Sequence, residues 1–295
     1  MTLFAGLEPI VRTDEPLAPH TWLGIGGPAQ YFVEPRTLEE LAEVARRCRQ
    51  GEVPLRVLGG GANLLVDDAG VKGAVVRLRQ GAFAEVQRTE LGYRAGAGAE
   101  MGKLVLRCVR EGLAGLEGLT GVPGSLGGCV HMNAGGAFGN IGPAVERLTL
   151  MADDGEVFQR EREDLVFGYR QTNVTAKFIL GAELRLAEDD PHRILQQVKQ
   201  IWIHKKNTQP LSSRSAGCIF RNPQEPGVPS AGALIDKSGL KGRRVGGAYV
   251  SEKHANFVLA DPGAKASDVL KLVNLIQEVV YKNFKVYLQR EIEVW

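Results

Sequence analysis

Gly121-Val122-Pro123-Gly124-Ser125-Leu126-Gly127-Gly128 leads, after Cys129, into Val130-His131-Met132-Asn133-Ala134-Gly135-Gly136-Ala137-Phe138-Gly139. A stretch this rich in glycine, with Pro123, Ser125 and Asn133 among them, makes a poor packed helix or strand. Glycine loses the most backbone entropy on ordering and brings no side chain to a core. It does let backbone N–H groups approach a ligand closely. Upstream, Leu58-Gly59-Gly60-Gly61-Ala62-Asn63-Leu64-Leu65 sets three consecutive glycines after a short apolar run and resumes that run at once. Alone, this loop is either a tight strand-to-strand turn or a phosphate cradle, and no Walker lysine follows to decide. Two structural turns would explain both segments, but the second favours a shared surface for a nucleotide cofactor. Neither is a dinucleotide fingerprint. Gly24-Ile25-Gly26-Gly27 lacks the strand, helix and later acidic residue of a Rossmann unit and reads as a turn.

The rest of the chain narrows the class. With 295 residues it can bury one large core or several smaller ones, so a composite enzyme needs no metal or disulfide to fold. Lys+Arg 36 against Asp+Glu 34 leaves a formal charge of +2, and no dense basic block is interleaved with aromatics. Nucleic acid is therefore not an expected partner. Cys48, Cys108, Cys129 and Cys218 form no Cys-x-x-Cys pair, and the histidines lack His-x-x-x-His spacing, so no metal site is expected. The first residues carry Glu8, Asp14 and Glu15 where a signal peptide needs a basic start and an apolar run. No later stretch reaches membrane-spanning length, and a cytoplasmic protein without a membrane partner is expected.

Periodicity gives an α+β pattern. Tyr31 to Glu34 reads as a strand. Thr37 with Glu40 forms a capping box for a helix burying Leu38, Leu41, Ala42, Ala45 and Cys48. Strands are expected at Leu55 to Leu58, Val71 to Leu78 and Tyr93 to Ala97, then a helix near Met101 to Glu111. Asp153-Asp154-Gly155 signals a hairpin, and Leu180, Ala182, Leu184 and Leu186 alternate as one face of a strand. Asp190 as N-cap and Pro191 open a helix through Lys206 with Ile194, Leu195, Val198, Ile201 and Trp202 inward. Helices at about Ser230 to Lys237 and Ser267 to Tyr281 follow, flanked by strands. The expected domains are an N-terminal arm over 1–20, a cofactor domain over 21–189 and a smaller one over 190–295.

Thr21 to Gly27, Leu58 to Val66, Gly115 to Gly139, Phe167-Gly168-Tyr169-Arg170, Thr208 to Leu211, Ser215 to Pro223, Gly239 to Lys241, Ser251 to Phe257 and Leu288 to Glu291 share an order and spacing with one known family. The chain resembles the UDP-N-acetylenolpyruvoylglucosamine reductase (MurB) family, over nearly its whole length. The resemblance implies an FAD-binding domain of the PCMH (vanillyl-alcohol-oxidase) type followed by a smaller α/β substrate-binding domain. It implies that NADPH reduces FAD, and that enolpyruvyl-UDP-N-acetylglucosamine then accepts hydride from flavin N5 at the β-carbon and a proton at the α-carbon. The product, UDP-N-acetylmuramate, serves peptidoglycan synthesis, and hence cell wall biogenesis, shape and division. The short interval from Arg170 to Lys205 resembles the type II form. A monomer is expected.

The implied FAD ligands are Gly59, Gly60, Gly61, Ala62, Asn63, Gly121, Pro123, Gly124, Ser125, Gly127, Gly128, Asn133 and Ala134. Arg170, Cys218 and Glu291 are the implied catalytic residues. Arginine can hold a carboxylate by two parallel hydrogen bonds and stabilise charge delocalising into an enolate, although an isolated arginine is commonly a surface ion pair. Cys218 stands where most of the family has the proton-donating serine. A thiol with a reference pKa of about 8.5 can do that work, whereas an unplaced cysteine is usually a small buried hydrophobe. Glu291 would orient the carboxylate region with Arg170 and polarise Cys218; Glu293 would share its strand face. Tyr169, Lys205, Lys206, Gln209, Arg221 and Asn222 are implied substrate contacts. Tyr169 is more often a core aromatic with a hydrogen-bonded tip, and the two lysines equally suit a helix C-terminus. His254 reads as a satisfied structural histidine. Family departures include His20, Ala62, Cys129 and Thr172. The competing functions are another PCMH-type flavoprotein oxidase and a non-catalytic nucleotide-binding regulator.

Overall fold

The computed structural model describes residues 3–295. Contacts gather these into two units, the first running up to Glu15 and through Gln30–Gly60 and Lys72–His204, the second comprising Pro16–Ala29, Gly61–Val71 and Lys205–Trp295. These packing units interleave along the chain, a different division from the contiguous stretches read from sequence.

In the first unit, parallel strands Leu55–Leu58 and Val71–Arg77 lie in a four-stranded sheet ordered Val11–Pro16, Pro28–Val33, Val71–Arg77, Leu55–Leu58. Helix α1, Leu38–Gln50, begins at Thr37, whose side chain accepts the Glu40 N–H at 3.3 Å, while the Glu40 carboxylate accepts the Arg36 N–H at 2.7 Å. Its buried face is Leu41, Val44, Ala45 and Cys48. Leu38 is instead partly exposed, at 38%, and the buried stripe begins at Leu41. A second, wholly antiparallel sheet is ordered Val157–Glu161, Val145–Met151, Phe178–Arg185, Gly92–Gly96, Val86–Thr89. The Asp153–Gly155 turn joins its first two strands as expected.

Phe178–Arg185 is central in this sheet, so residues on both of its faces are buried, including Glu183 at 9% exposure. That carboxylate is paired with Arg147 at 2.8 Å. Helices α2, Met101–Arg110, and α3, Leu126–His131, pack Leu104, Val105, Cys108, Leu126, Cys129 and Val130 against the same core. Helix α4, Pro191–Thr208, is capped by Asp190, whose carboxylate accepts the His192 N–H at 2.9 Å. Ile194 and Val198 enter the first unit's core, and Ile201 is buried. Trp202 does not face inward: it is 46% exposed. The buried stripe steps 194, 198, 201, 205, which rotates position 202 away and gives position 205 to a lysine.

In the second unit, the sheet order is Ser215–Cys218, Phe257–Ala260, Ala248–Val250, Arg244–Val245, antiparallel throughout. Helices α5, Ala231–Lys237, and α6, Ala266–Phe284, bury Leu234, Ile235, Val269, Leu272, Val273, Ile276 and Val280 in its core. Ser230 caps α5, and Gly239 follows it at φ +68°. The Asp68 carboxylate accepts the Ala266 and Ser267 N–H groups that open α6, at 2.8 and 3.2 Å. Leu64–Leu65 pairs in parallel with Glu293–Val294, which ties these two segments into one short sheet. Among the described residues, no helix is long and apolar enough to cross a membrane.

Candidate active site

The two glycine segments meet within the first unit. A Cβ on Gly59 would sit 3.1 Å from Ser125 Oγ, and one on Gly60 would fall far inside van der Waals contact with Gly124 Cα. Glycine at 60 is therefore demanded by backbone packed on backbone, whatever the loop holds. Gly61, in the second unit, is demanded likewise: its φ is +66° and its missing Cβ would strike the His20 carbonyl oxygen. Gly127 is pressed on Ala97, with N–H donation to the Ala97 carbonyl at 2.8 Å. Gly121 and Gly124 have φ +70° and +117°, which fixes the turns on either side of Pro123. Ser125 is the N-cap of α3, its hydroxyl accepting the Gly128 N–H at 3.4 Å.

Gly128 differs from these. A Cβ there would meet only Ser125 Oγ, at 3.6 Å, an ordinary contact. Beside the crowded Gly59–Gly60 and Gly124–Ser125 backbones, position 128 thus offers a small open cradle that a side chain would fill. An extended anion-bearing group against bare backbone fits such a surface. Asn133 and Ala134 follow α3; the Asn133 amide donates to the Gly168 carbonyl at 2.8 Å and accepts the Gly142 N–H at 3.1 Å.

Tyr169 and Arg170 form the crest of a hairpin between Phe167–Gly168 and Gln171–Thr172. Arg170 has φ +57°, a left-handed conformation costly for a side chain with a Cβ. Its guanidinium lies 5.3 Å from the centre of the Tyr169 ring, and Tyr169 is largely exposed. The phenol is thus no core aromatic but a partner of the arginine.

Cys218 and Glu291 lie in the second unit on segments that share a backbone hydrogen bond next to the thiol position. Ser215 pairs with Leu259 and Cys218 with Phe257, so one extra residue bulges from the first strand, and Gly217 has φ +76°. Bulges re-aim side chains, and this one sits immediately before the thiol. The Glu291 N–H donates to Ile219 O at 2.7 Å, and Phe220 bridges Arg290. The Asn63 amide donates to Glu291 O at 3.0 Å, so Asn63 holds with its side chain the segment leading into the Glu293–Val294 strand. Asn256, 3% exposed, clamps the other side: its amide accepts from Phe220 N–H at 3.0 Å and donates to Phe220 O at 2.8 Å. Neither this clamp nor the bulge was read from sequence, although a lone glycine between Ala216 and Cys218 is the usual mark of a bulge.

Cys48, Cys108 and Cys129 are buried, and burial pushes their thiols up to about 11, 12 and 12. Cys218 is only half-buried. Burial also holds Lys205, at 8% exposure, below the ordinary lysine range. Lys206 is exposed, its carbonyl accepting from Lys253 Nζ, and Gln209 is half-buried. The Arg221 N–H donates to Gln289 O at 2.9 Å, while its Nε is buried without a hydrogen-bond partner among the described residues. The Asn222 amide oxygen accepts the Ala231 N–H at 3.0 Å, at the start of α5. His254 is half-buried, stacked edge-on against Phe257 at 4.9 Å, and burial lowers its pKa. Among the described residues, no group of three or more His, Cys, Asp or Glu could hold a metal ion.

Residues 29–160 match the FAD binding domain family, and residues 209–295 match the C-terminal domain of UDP-N-acetylenolpyruvoylglucosamine reductase. A UDP-N-acetylenolpyruvoylglucosamine reductase of Desulfosudis oleivorans is 40% identical over 296 aligned residues, covering 96% of this chain and 94% of the relative. The chain belongs to the UDP-N-acetylenolpyruvoylglucosamine reductase (MurB) family. The crystal structure of MurB from Thermus caldophilus has a TM-score of 0.82 and 40% identity, covering 97% of this chain and 98% of that one. A variant of Phl p 4, a glucose dehydrogenase, has a TM-score of 0.51 at 13% identity, covering 97% of this chain and 62% of that one, a likeness of fold. The cofactor of this MurB-family chain is FAD, and the paired glycine loops lie within or beside the matched FAD-binding segment.

The open face at Gly128 and the closed one at Gly60 make substitutions at the two positions act differently. Gly128→Ala should leave the fold intact, or firm it by up to about 1 kcal/mol through helix propensity, yet lower flavin occupancy. Gly60→Ala should lower melting temperature and flavin content together, since the two loops must part. Thermal unfolding of the apoprotein and the flavin-to-protein absorbance ratio check both; full flavin in a stable Gly128→Ala protein would take position 128 out of the cofactor site.

Proposed function

We propose that this chain uses NADPH and bound FAD to reduce enolpyruvyl-UDP-N-acetylglucosamine to UDP-N-acetylmuramate, supplying peptidoglycan precursor synthesis in the cytoplasm as a monomer. The observation that carries the reading is the end-to-end 40% likeness to reductases of that name. The functional division we propose is an arm over 1–20, the FAD-binding part over 21–189 and the substrate-binding part over 190–295.

Bound FAD supplies the hydride that NADPH brings. The chain's own residues do the rest. Arg170 holds the enolpyruvyl carboxylate by two hydrogen bonds and stabilises the negative charge that builds on it as the β-carbon gains hydride. The strained backbone at the hairpin crest, with Tyr169 against the guanidinium, limits how far that group can wander. Cys218 gives its proton to the α-carbon, which completes the addition of two hydrogens across the double bond. Glu291, fixed through its backbone to Ile219 and Asn63, orients the region around the thiol. Gly59, Gly60, Gly61, Ala62, Asn63, Gly121, Pro123, Gly124, Ser125, Gly127, Gly128 and Ala134 form the FAD surface: Gly128 leaves backbone bare, while Gly60, Gly61 and Gly127 let the loop backbones close on their neighbours, and Asn133, its amide spent on Gly168 and Gly142, supports the loop after α3. Arg221, whose Nε has no partner among the described residues, suits a diphosphate, with Lys205, Lys206, Gln209 and Asn222 as further substrate contacts.

The absorption spectrum tests this. The purified protein is expected to show the flavin band, to lose it on anaerobic addition of NADPH, and to regain it when the enolpyruvyl nucleotide is added. Reoxidation by air as fast as by the nucleotide would instead indicate an oxidase. A colourless protein that binds no added FAD would indicate a nucleotide-binding regulator.

A further inference from the structure

We infer that Asn133 is a positioning residue for Arg170: its side-chain amide anchors the hairpin that presents the arginine. This rests on the carboxylate-binding role proposed for Arg170.

Helix α3 ends in two bonds that close a left-handed stop. Asn133 N–H donates to Val130 O at 3.0 Å, and Ala134 N–H to Cys129 O at 2.7 Å. Asn133 itself has φ +42°. Glycine is the usual residue at this place, since it has no Cβ to crowd the carbonyl, and glycines stand on both sides in the surrounding sequence. Asparagine tolerates the conformation less well but brings an amide. That amide is 5% exposed as part of its residue, and both of its ends are engaged: Nδ2 donates to Gly168 O at 2.8 Å, and Oδ1 accepts Gly142 N–H at 3.1 Å. Gly142 completes the joint. A Cβ there would lie 2.8 Å from Phe167 Cβ and 3.0 Å from Asn133 Oδ1, so residues 133, 142 and 167 are packed without slack.

Gly168 is the last residue before the Tyr169–Arg170 crest. The hairpin is short: Phe167 pairs with Thr172 and Gly168 with Gln171, and the Asn173 N–H donates to Val166 O at 3.1 Å below them, too small a ladder to define a position by itself. Its base is held by Asn173, whose amide accepts Val166 N–H at 3.0 Å and donates to Asp164 O at 2.8 Å. The bond from Asn133 fastens the crest end. Because the crest carries a strained arginine, loss of that bond lets the backbone relax and the guanidinium leave its place.

Asn133→Asp isolates the bond: the acceptor for Gly142 N–H remains, while an oxygen replaces the donor facing Gly168 O. Hydrogen exchange of the amides of residues 167–172 is expected to accelerate in this variant while that of α3 does not. In flavin-loaded, pre-reduced protein, reoxidation by the enolpyruvyl nucleotide is expected to slow by roughly 10- to 100-fold. In an Arg170→Ala background the same substitution should slow reoxidation by no more than about twofold, as expected if it acts through the arginine. Unchanged exchange at 167–172, or an equal loss of rate in both backgrounds, would overturn the assignment. Should Asn133→Asp fail to fold, Asn133→Gly, which removes the amide and relieves the positive φ, carries the same expectations. If the parent protein is not reoxidised by the nucleotide, the proposed activity falls, and the exchange measurement still decides the anchor.

Discussion

Replacing Cys218 by alanine should leave FAD bound and NADPH-driven flavin reduction intact while slowing complete turnover by about 10²- to 10⁴-fold, the ordinary worth of a positioned general acid. The separation is expected because the proposed mechanism gives the thiol one task, delivery of a proton to the α-carbon, which follows hydride transfer. Cys218→Ser should recover much of the rate, since the hydroxyl can occupy the same bulged position behind Gly217. The pH profiles should differ in a definite direction. A thiol donor is lost as pH rises, because the thiolate has no proton to give, so the parent enzyme should decline on the alkaline side and the serine variant should decline less. Brief alkylation near neutral pH provides the third measurement. It should label Cys218 ahead of Cys48, Cys108 and Cys129, whose buried thiols are raised far above that pH. Full turnover by Cys218→Ala would remove the thiol from the mechanism.

The glycine loops of the candidate site were legible in the chain because glycine is physically restrictive. Clustered glycines are costly anywhere except where backbone must approach something closely, so the loops at 59–61 and 121–128 announce themselves. What they approach is not encoded in composition: Gly60 is packed on Gly124, while Gly128 meets only Ser125 Oγ at an ordinary 3.6 Å. Helix faces were legible to within one position. The stripe of α1 includes Val44 and omits Leu38, and that of α4 includes Lys205 and omits Trp202. Neighbouring apolar residues around 3.6-residue turns offer two stripes of similar hydrophobicity, and only the opposing sheet selects between them. The amides of Asn63, Asn133 and Asn256 were the hardest to place. Each satisfies backbone groups distant in sequence, to Glu291, Gly168 and Phe220, and asparagine's short polar side chain carries no periodic signal of such a partner.

Arg170→Ala should slow flavin reoxidation by the enolpyruvyl nucleotide by about 10³-fold, with flavin content and reduction by NADPH nearly unchanged. The size follows from what is removed. A charged donor pair on a carboxylate whose negative charge grows during hydride addition is worth more at the transition state than in the bound substrate, so the loss falls mainly on the rate constant. Arg170→Lys should recover little. An ammonium keeps the charge but cannot make two parallel hydrogen bonds, and its flexible stem loses the contact that holds the guanidinium 5.3 Å from the Tyr169 ring. Arg170→Gly makes a useful contrast, because glycine accepts φ +57° without strain. It should raise thermal stability relative to Arg170→Ala and be no faster. Rapid-mixing measurement of the two half-reactions, with melting temperatures for all three variants, separates the alternatives: equal slowing of reduction and reoxidation would make Arg170 a support of the cofactor or the fold.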